Sequence, residues 1–421
     1  ITFFKVVYRR HTNFSMESVK QTYNGGGDSY SWTIARSGDL ISNMFLENMI
    51  FEPATPLTDQ YHVGHAKYTS IDGSVITTAL VEDKFNNGEI SPGPYIERML
   101  SGFAIMDKIK YSLEIGGQNI DKFDNLWRRT FNTLHELNPC YDDQTLLNRM
   151  EKAGVWNLPF WFCRNPGLAL PLIALQYHEV KFNIELNGAQ DQYTGTNPGL
   201  WVDYIYLDTD ERRRFAQVSH EYLIEQIQTF TSNLPSSSSQ CNVPLNFNHP
   251  VKELVWVHLD KNNVPTHHNS KLFNCGESKV KLVLNGQDRF SERVARYFSD
   301  YQVHNYHTGS GSLINLDYDY DLVLSGSENT TIAAASSIAA VELRPVYVYS
   351  FALKPEEHQP SGTCNFSRID SANLIFSGLL TSTNPSVETK FGKNYKGLYG
   401  VNKTVVYAVN YNVLRIMSGM G

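Results

Sequence analysis

The sequence predicts an all-β protein built as two similar domains in tandem. Three observations predict it. Lys110–Lys122 (KYSLEIGGQNIDK) and Ser278–Phe290 (SKVKLVLNGQDRF) both read as an alternating strand running into Gly-Gln, at Gly117-Gln118 and Gly286-Gln287, 169 residues apart. A second pair repeats in the same order. Leu158–Phe162 (LPFWF), Pro171 and Val180–Leu186 answer to Val346–Phe351 (VYVYSF), Pro360 and Ile369–Phe376, with the prolines 189 residues apart. Self-similarity at a near-constant offset marks a repeated structural unit. Finally, 421 residues are too many for one ordinary core, and two domains of about 200 residues are the natural division.

The elements follow from local pattern. Val180, Phe182, Ile184 and Leu186 alternate with Lys181, Asn183 and Glu185, a period of two that puts one strand face on a core. Tyr111, Leu113 and Ile115 repeat this, Val280, Leu282 and Leu284 less cleanly, and Val405, Tyr407, Val409, Tyr411 and Val413 form one face near the end of the chain. Turn signals separate the strands at Asn24-Gly25, Asn87-Gly88, Asn187-Gly188 and Asn285-Gly286. Helical spacing of Phe123, Leu126, Trp127, Phe131 and Leu134 predicts a helix over about 121–137 with Asp121 as its cap, and a second helix is expected over about 144–153. Two helices among many strands exclude a βαβ alternation.

The domain boundary is expected in Asp208–His220, leaving domains at 1–207 and 221–421. Asp208, Asp210 and Glu211 precede Arg212, Arg213 and Arg214, which suits the dipole of a short connector helix. Long loops are expected at about 52–102, 232–242 and 301–343. The net charge of −7 argues against a dedicated nucleic-acid binder. Cys140, Cys163, Cys241, Cys275 and Cys364 are odd in number, widely spaced and without a CxxC, as reduced thiols would be. No run reaches the roughly 18 apolar residues of a spanning helix. Trp127, Trp161 and Trp256 read as core, the last two inside apolar strands.

Signs of chemistry are few. Asp317, Asp319 and Asp321 share a face if extended, but lack the glycine punctuation of a calcium loop. His62-x-x-His65 and His304-x-x-His307 lack a third ligand at useful spacing and read as surface pairs. Asn24–Asp28 (NGGGD) lacks the Lys-Ser/Thr of a phosphate loop and reads as a hairpin turn. No GxSxG occurs. Sequons stand at Asn13, Asn329, Asn365 and Asn402; Asn329, in an expected loop, is the best glycan candidate, with Asn402 kept beside it. No catalytic residue, metal or cofactor is assigned. The reading of the residues leaves open a carbohydrate-binding or carbohydrate-cleaving β-sandwich, whose paired carboxylates need not be close in sequence.

Longer blocks carry a resemblance. They are Ile1–Ser18 (ITFFKVVYRRHTNFSMES), Asn165–Phe182 (NPGLALPLIALQYHEVKF), Trp201–Gln228 (WVDYIYLDTDERRRFAQVSHEYLIEQIQ), Leu245–Pro250 (LNFNHP), Leu284–Phe290 (LNGQDRF), Tyr349–Asp370 (YSFALKPEEHQPSGTCNFSRID) and Asn410–Gly421 (NYNVLRIMSGMG). Running through both halves in order, they resemble the double jelly-roll major capsid proteins of nucleocytoplasmic large DNA viruses, closest to the algal, chlorovirus type. Iridovirus and asfarvirus capsid proteins are more distant relatives. The resemblance implies two tandem eight-stranded antiparallel jelly-roll sandwiches. It also implies homotrimeric capsomers of pseudo-hexagonal outline that tile an icosahedral shell, and no enzyme activity. The expected partners are further copies, neighbouring capsomers and minor capsid proteins, with a host surface reached through outer loops. The expected location is the virion, after assembly in the host cytoplasm. A minor or vertex capsid role on the same fold stays open. The segments at about 52–102 and 301–343 look longer than in the chlorovirus type, so sugar sites of relatives do not carry over. Inter-subunit contacts are expected from Arg9 and Arg10 in the N-terminal segment and from Arg212, Arg213 and Arg214 in the connector, unless these arginines pair within their own chain.

Overall fold

The computed structural model describes residues 12–51, 108–135, 153–193, 195, 197–234, 240–259, 278–313, 344–378 and 401–417. The first half contributes strands β1 (Phe14–Gln21), β2 (Tyr23–Gly26), β3 (Ser29–Thr33), β4 (Leu40–Glu47), β5 (Lys110–Ile115), β6 (Gln118–Asp124), β7 (Trp156–Asn157), β8 (Leu170–Pro171), β9 (Val180–Glu185) and β10 (Gly199–Leu207). Helices α1 (Asn125–His135) and α2 (Trp161–Arg164) lie among them, and α3 (Thr209–Gln217) follows. The second half contributes β11 (His220–Asn233), β12 (Gln240–Pro244), β13 (Pro250–Leu259), β14 (Lys279–Leu284), β15 (Gln287–Asp288) and β16 (Arg293–Val294). Helix α4 (Gln302–Tyr306) comes next, then β17 (Ser312–Leu313), β18 (Arg344–Pro345), β19 (Tyr347–Ser350), β20 (Cys364–Asn365), β21 (Ala372–Ser377) and β22 (Lys403–Ile416).

The sheets repeat. In the first half β1-β10-β4-β7 faces β2-β3-β9-β5-β6; in the second, β11-β22-β13-β19 faces β12-β21-β14-β15. Apart from β2 in the first half and β16, β17 and β18 in the second, the strands of the two halves pair in the same way in chain order, all antiparallel. This is the jelly-roll arrangement, present twice. The Gly-Gln repeat marks equivalent hairpins, β5–β6 and β14–β15. Their turns both use left-handed backbone at two central residues: Gly116 and Gly117 at φ 59° and 80°, Asn285 and Gly286 at φ 50° and 76°. Two adjacent positive φ values define the turn whose twist matches paired strands, and Gly or Asn adopts them most cheaply. The β9 and β21 segments are likewise equivalent.

Several expectations change. Leu158–Phe162 is not a strand: Phe160, Trp161 and Phe162 form an apolar run without alternation, and Cys163 N donates to Phe160 O at 3.0 Å to start the turn of α2. Trp161 is therefore helical, though buried as expected along with Trp127 and Trp256. The first long helix starts at Asn125, not Asp121. Residues 121–124 remain in β6 because their backbone pairs with β5, out to Lys110↔Asp124. The cap is Asp124, whose Oδ1 accepts from Trp127 N at 2.8 Å. Asn24 and Gly25 lie within β2, and the hairpin turns at Gly27-Asp28. The start of the expected loop at 301–343 is helical: a π-helical turn, Tyr297–Tyr301, runs into α4, with Phe298 and Val303 buried. The expected helix over 144–153 falls almost wholly outside the described residues, as do Asn87-Gly88, His62, His65 and Asp317–Asp321. Cys163, Cys241 and Cys364 are free thiols, and burial pushes Cys163 up to about 12, too high to be reactive.

Candidate functional site: the junction between the two halves

The second half buries both faces of its β11-β22-β13-β19 sheet. One face, with Leu254, Trp256, Val406 and Ala408, packs into the sandwich core. The other, with Val255, Val257, Val405, Tyr407 and Val409, joins the hydrophobic cluster of the first half. Adjacent residues of β22 thus point to different cores, which explains the unbroken apolar run TVVYAV. Val413, expected on the same face, is 50% exposed, while Leu414 and Ile416 beyond it pack into the junction cluster instead. The covering elements are β6, α1 and α2. Trp127 packs on Tyr407 with ring centroids 5.0 Å apart, and the Tyr407 hydroxyl donates to Asp124 Oδ1 at 2.8 Å. Gly309 N donates to Leu134 O at 2.7 Å, and a Cβ on Gly309 would sit 2.0 Å from the Thr133 carbonyl oxygen, so only glycine permits this approach.

A charged network crosses the same junction. A β-bulge between Val251 and Glu253 leaves Lys252 without a ladder partner on β22. Lys252 Nζ reaches Glu225 Oε1 at 2.8 Å and donates to Pro355 O at 2.6 Å. Arg164 of α2 pairs with the other oxygen of Glu225 and lies over the Phe131 ring at 4.4 Å. Burial opposes ionisation of Glu225, but Lys252 and Arg164 outweigh it and hold the carboxyl below its ordinary range. Beside it, His307 Nε2 lies 3.1 Å from Glu253 Oε2 and His307 Nδ1 3.2 Å from Glu356 Oε1. Burial alone would raise Glu253; His307 overrides this and brings it to about 2. Burial alone would lower His307; Glu253 and Glu356 lift it to about 9. His135, at the end of α1, stacks on Phe131 and lies 4.0 Å from Glu356; burial, then His307, pushes it down to about 4. Asp121 is raised to about 7 by burial although its Oδ1 accepts from Ile227 N at 3.3 Å.

The residues expected from the sequence lie elsewhere. Arg212 pairs with Asp39 of its own chain, Nε to Oδ1 at 2.9 Å and Nη2 to Oδ2 at 3.1 Å. Arg213 and Arg214 are exposed on α3, which Asp208 caps by accepting from Thr209 N. Asn402 is half-buried, and Thr404 of its sequon is fully buried, its hydroxyl 2.8 Å from His258 Nδ1. Arg9, Arg10 and Asn329 lie outside the described residues. His304 is exposed, whereas His307 meets His135 and Glu356. The junction residues Arg164, Glu225, Lys252, Glu253 and Glu356 were not foreseen. One signal was present: Lys252-Glu253 inside VKELVWV and Glu225 inside YLIEQI are charges set in apolar strands, where only a partner tolerates them.

Known proteins resemble this chain over its full length. Residues 2–208 match the family described as "Major capsid protein N-terminus", and 211–312 with 334–421 match "Large eukaryotic DNA virus major capsid protein". The chain is 40% identical to the major capsid protein of Pyramimonas orientalis virus and 36% identical to that of Paramecium bursaria Chlorella virus 1, covering all of this chain and 93% of each relative. The solved structure of PBCV-1 VP54 superposes with a TM-score of 0.66 at 33% identity, covering 100% of this chain and 98% of that one. The Faustovirus major capsid protein shares the fold at 11% identity, with a TM-score of 0.59 over 99% of this chain and 93% of its own. Matched in both halves and in the order of its sheets, the chain belongs to the family of large eukaryotic DNA virus major capsid proteins and is a structural subunit of a viral shell, not an enzyme.

Proposed function

We propose that copies of this chain close head to tail into rings of three, each ring a six-lobed tile of an icosahedral shell. The lobes are residues 1–207 and 221–421, and 208–220 connects them. One observation carries the reading. The two lobes have equivalent outer sheet faces; that of the second is sealed by the first lobe, whereas among the described residues that of the first is covered only at its α3 end, where Leu40 and Ile205 pack against Phe215. On the first lobe the equivalent face of β1-β10-β4-β7 presents Phe45 and Trp201, centroids 6.2 Å apart and 4° from parallel, with Lys20 5.7 Å from the Trp201 ring. Phe14 and Met16 on the edge strand β1 are 58% and 55% exposed. In the second lobe the counterpart of β6–α1 is the stretch from β15 to α4, which exposes Val294, Asp300 and Tyr301. Repeating the internal contact between chains sets that stretch of one copy on the Phe45–Trp201 face of the next. Such a heterologous contact with two lobes per chain closes after three copies, and an obligate one buries roughly 2,000–5,000 Å².

Around such tiles, the exposed Arg213 and Arg214 are candidates for contact with neighbouring tiles or minor capsid proteins, and Arg9 and Arg10 extend that role to the N-terminal segment. Arg212, held by Asp39, is the weaker candidate. The segments at about 52–102 and 301–343 are assigned to the outer surface that meets the host, with Asn329 as the sugar site. Assembly takes place in the host cytoplasm. A glycan on Asn402 would have to precede burial of Thr404. Light scattering at micromolar concentration tests the ring: the expected mass is three times 47.8 kDa. Phe45→Ala combined with Trp201→Glu should leave a folded monomer. Wild-type chain that stays monomeric under the same conditions overturns the reading.

A further inference from the structure

The geometry points to a divalent transition-metal site, best suited to zinc, formed by His135, His307 and Glu356 where the two halves meet. Their three donor atoms lie within 4.8 Å of one another. His135 is already oriented as a ligand, and Glu356 Oε1 is held in place by Thr308 N, which donates to it at 3.0 Å. His135 Nδ1 lies 2.9 Å from the Phe131 carbonyl oxygen, a contact that only a protonated nitrogen satisfies, so Nε2 presents its lone pair. That lone pair faces Glu356 Oε1 at 4.0 Å. Two electron-rich atoms aimed at each other in a half-buried place are an arrangement that a cation between them relieves. His307 Nδ1 stands 3.2 Å from the same oxygen.

The supporting contacts fit as well. Metal-bound histidines pass their other ring N–H to a carboxylate or a backbone carbonyl. Here the Phe131 carbonyl serves His135, and Glu253 Oε2 stands 3.1 Å from His307 Nε2. That last pair is close but off the axis of a straight hydrogen bond, so both buried atoms are left without a good partner. A small rotation of the His307 ring onto a metal would correct it. Two imidazoles and a carboxylate are a zinc donor set, with bonds of about 2.0–2.2 Å. Tetrahedral bonds of that length set ligand atoms about 3.3 Å apart, between the 3.2 and 4.0 Å found here. The nearby cations Lys252 and Arg164 are engaged by Glu225. The side chains of His135 and Glu356 are 23% and 21% exposed, which gives an ion a way in.

Without metal, His307 Nδ1–H donates to Glu356 Oε1 at 3.2 Å, and Nε2 stands beside Glu253. Zinc replaces the Nδ1 proton, which leaves to solvent, while the Nε2 proton stays toward Glu253. One ligand comes from α1 of the first half and two from the second, so the ion pins the halves together independently of self-association.

The test uses the full chain, stripped with EDTA, exchanged into buffer and titrated with zinc chloride. We expect about one zinc per chain by elemental analysis and a rise in Tm of about 5 °C or more, reversed by EDTA. Cobalt in place of zinc should give the visible absorption of a four-coordinate ion, lost in His135→Ala. Glu253→Gln should weaken zinc binding by about 10–100-fold while the fold persists. Wild-type chain that takes up no stoichiometric zinc at micromolar free ion, or has the same Tm with zinc and with EDTA, overturns the proposal. So does uptake unchanged in His135→Ala, which would place the ion elsewhere.

Discussion

The outer faces of two equivalent sheets have opposite fates. In β11-β22-β13-β19 the outer face is sealed by the first half of the same chain, and β13 from Val251 to Leu259 and β22 from Thr404 to Tyr411 are buried residue after residue. In β1-β10-β4-β7 the described residues cover the outer face only at the α3 end, where Leu40 and Ile205 pack against Phe215, so β4 and β10 largely alternate between buried and half-buried, and β1 is mostly exposed. The topology is the same; the solvent exposure is not. The side chains follow. The sealed face carries Val255, Val257, Val405 and Val409 with paired charges between them, whereas the open face carries Phe45, Trp201, Lys20 and Glu47, apolar bodies edged with polar groups. A repeated fold therefore need not have repeated energetics: the sealed face stabilises the monomer, and in the proposed ring the open one would receive another copy.

Mutations can break this contrast, beginning with the sealed side. Glu225→Ala strands Lys252 and Arg164 in a buried place and should cost about 3–5 kcal/mol, read from the urea midpoint of the monomer. The matched change on the open face, Glu47→Ala, removes a partner of the exposed Lys20 and should cost under about 1 kcal/mol. If the two costs were similar, the contrast between the faces would fail.

The pH dependence sharpens the same comparison, because the junction holds both kinds of displaced carboxyl. Glu225 is held low in the fold, so its contribution is present above the ordinary carboxylate pKa and is lost as pH falls below it. Asp121 is displaced upward to about 7, so the fold is penalised as pH rises through that value. Asp121→Asn keeps an oxygen for the Ile227 N–H and should stabilise the chain by about 1–2 kcal/mol at pH 8 and little at pH 4, by thermal unfolding across pH. A gain at pH 4 equal to that at pH 8 would show that ionisation of Asp121 is not the cause. Tyr407→Phe, which removes one hydrogen bond to Asp124 and keeps the ring against Trp127, should cost about 1 kcal/mol in chemical denaturation. The smallest effect is expected at Arg212→Ala, under about 1 kcal/mol and fading with added salt, because Arg212 is 52% exposed and Asp39 keeps the Leu207 N–H at 2.8 Å.

Much of the fold was legible in the sequence, and particular residues show why. Alternation in Val180–Leu186 survives as β9 because a period of two is local and the buried side chains Val180, Phe182 and Ile184 need only one core to face. The Gly117 and Gly286 turns were readable because left-handed backbone restricts which residues can occupy it. Leu158–Phe162 was misleading because a short apolar run fits a strand or a buried helical turn equally well. Asp121 was mistaken for the helix cap because Asp121 and Asp124 are both acids one turn apart, and only the pairing of β6 with β5 decides between them.

The positions of several strands, the duplication and the family were set by local periodicity, turn chemistry and long matching blocks, all properties of contiguous sequence. The junction was set by nothing contiguous. His135, Glu253, His307 and Glu356 come from well-separated parts of the chain, and only the packing of one sandwich on the other brings their charges within reach. Alternation says that a strand face is apolar. What covers that face, the chain itself or another copy, depends on where distant elements pack, and that is decided in three dimensions.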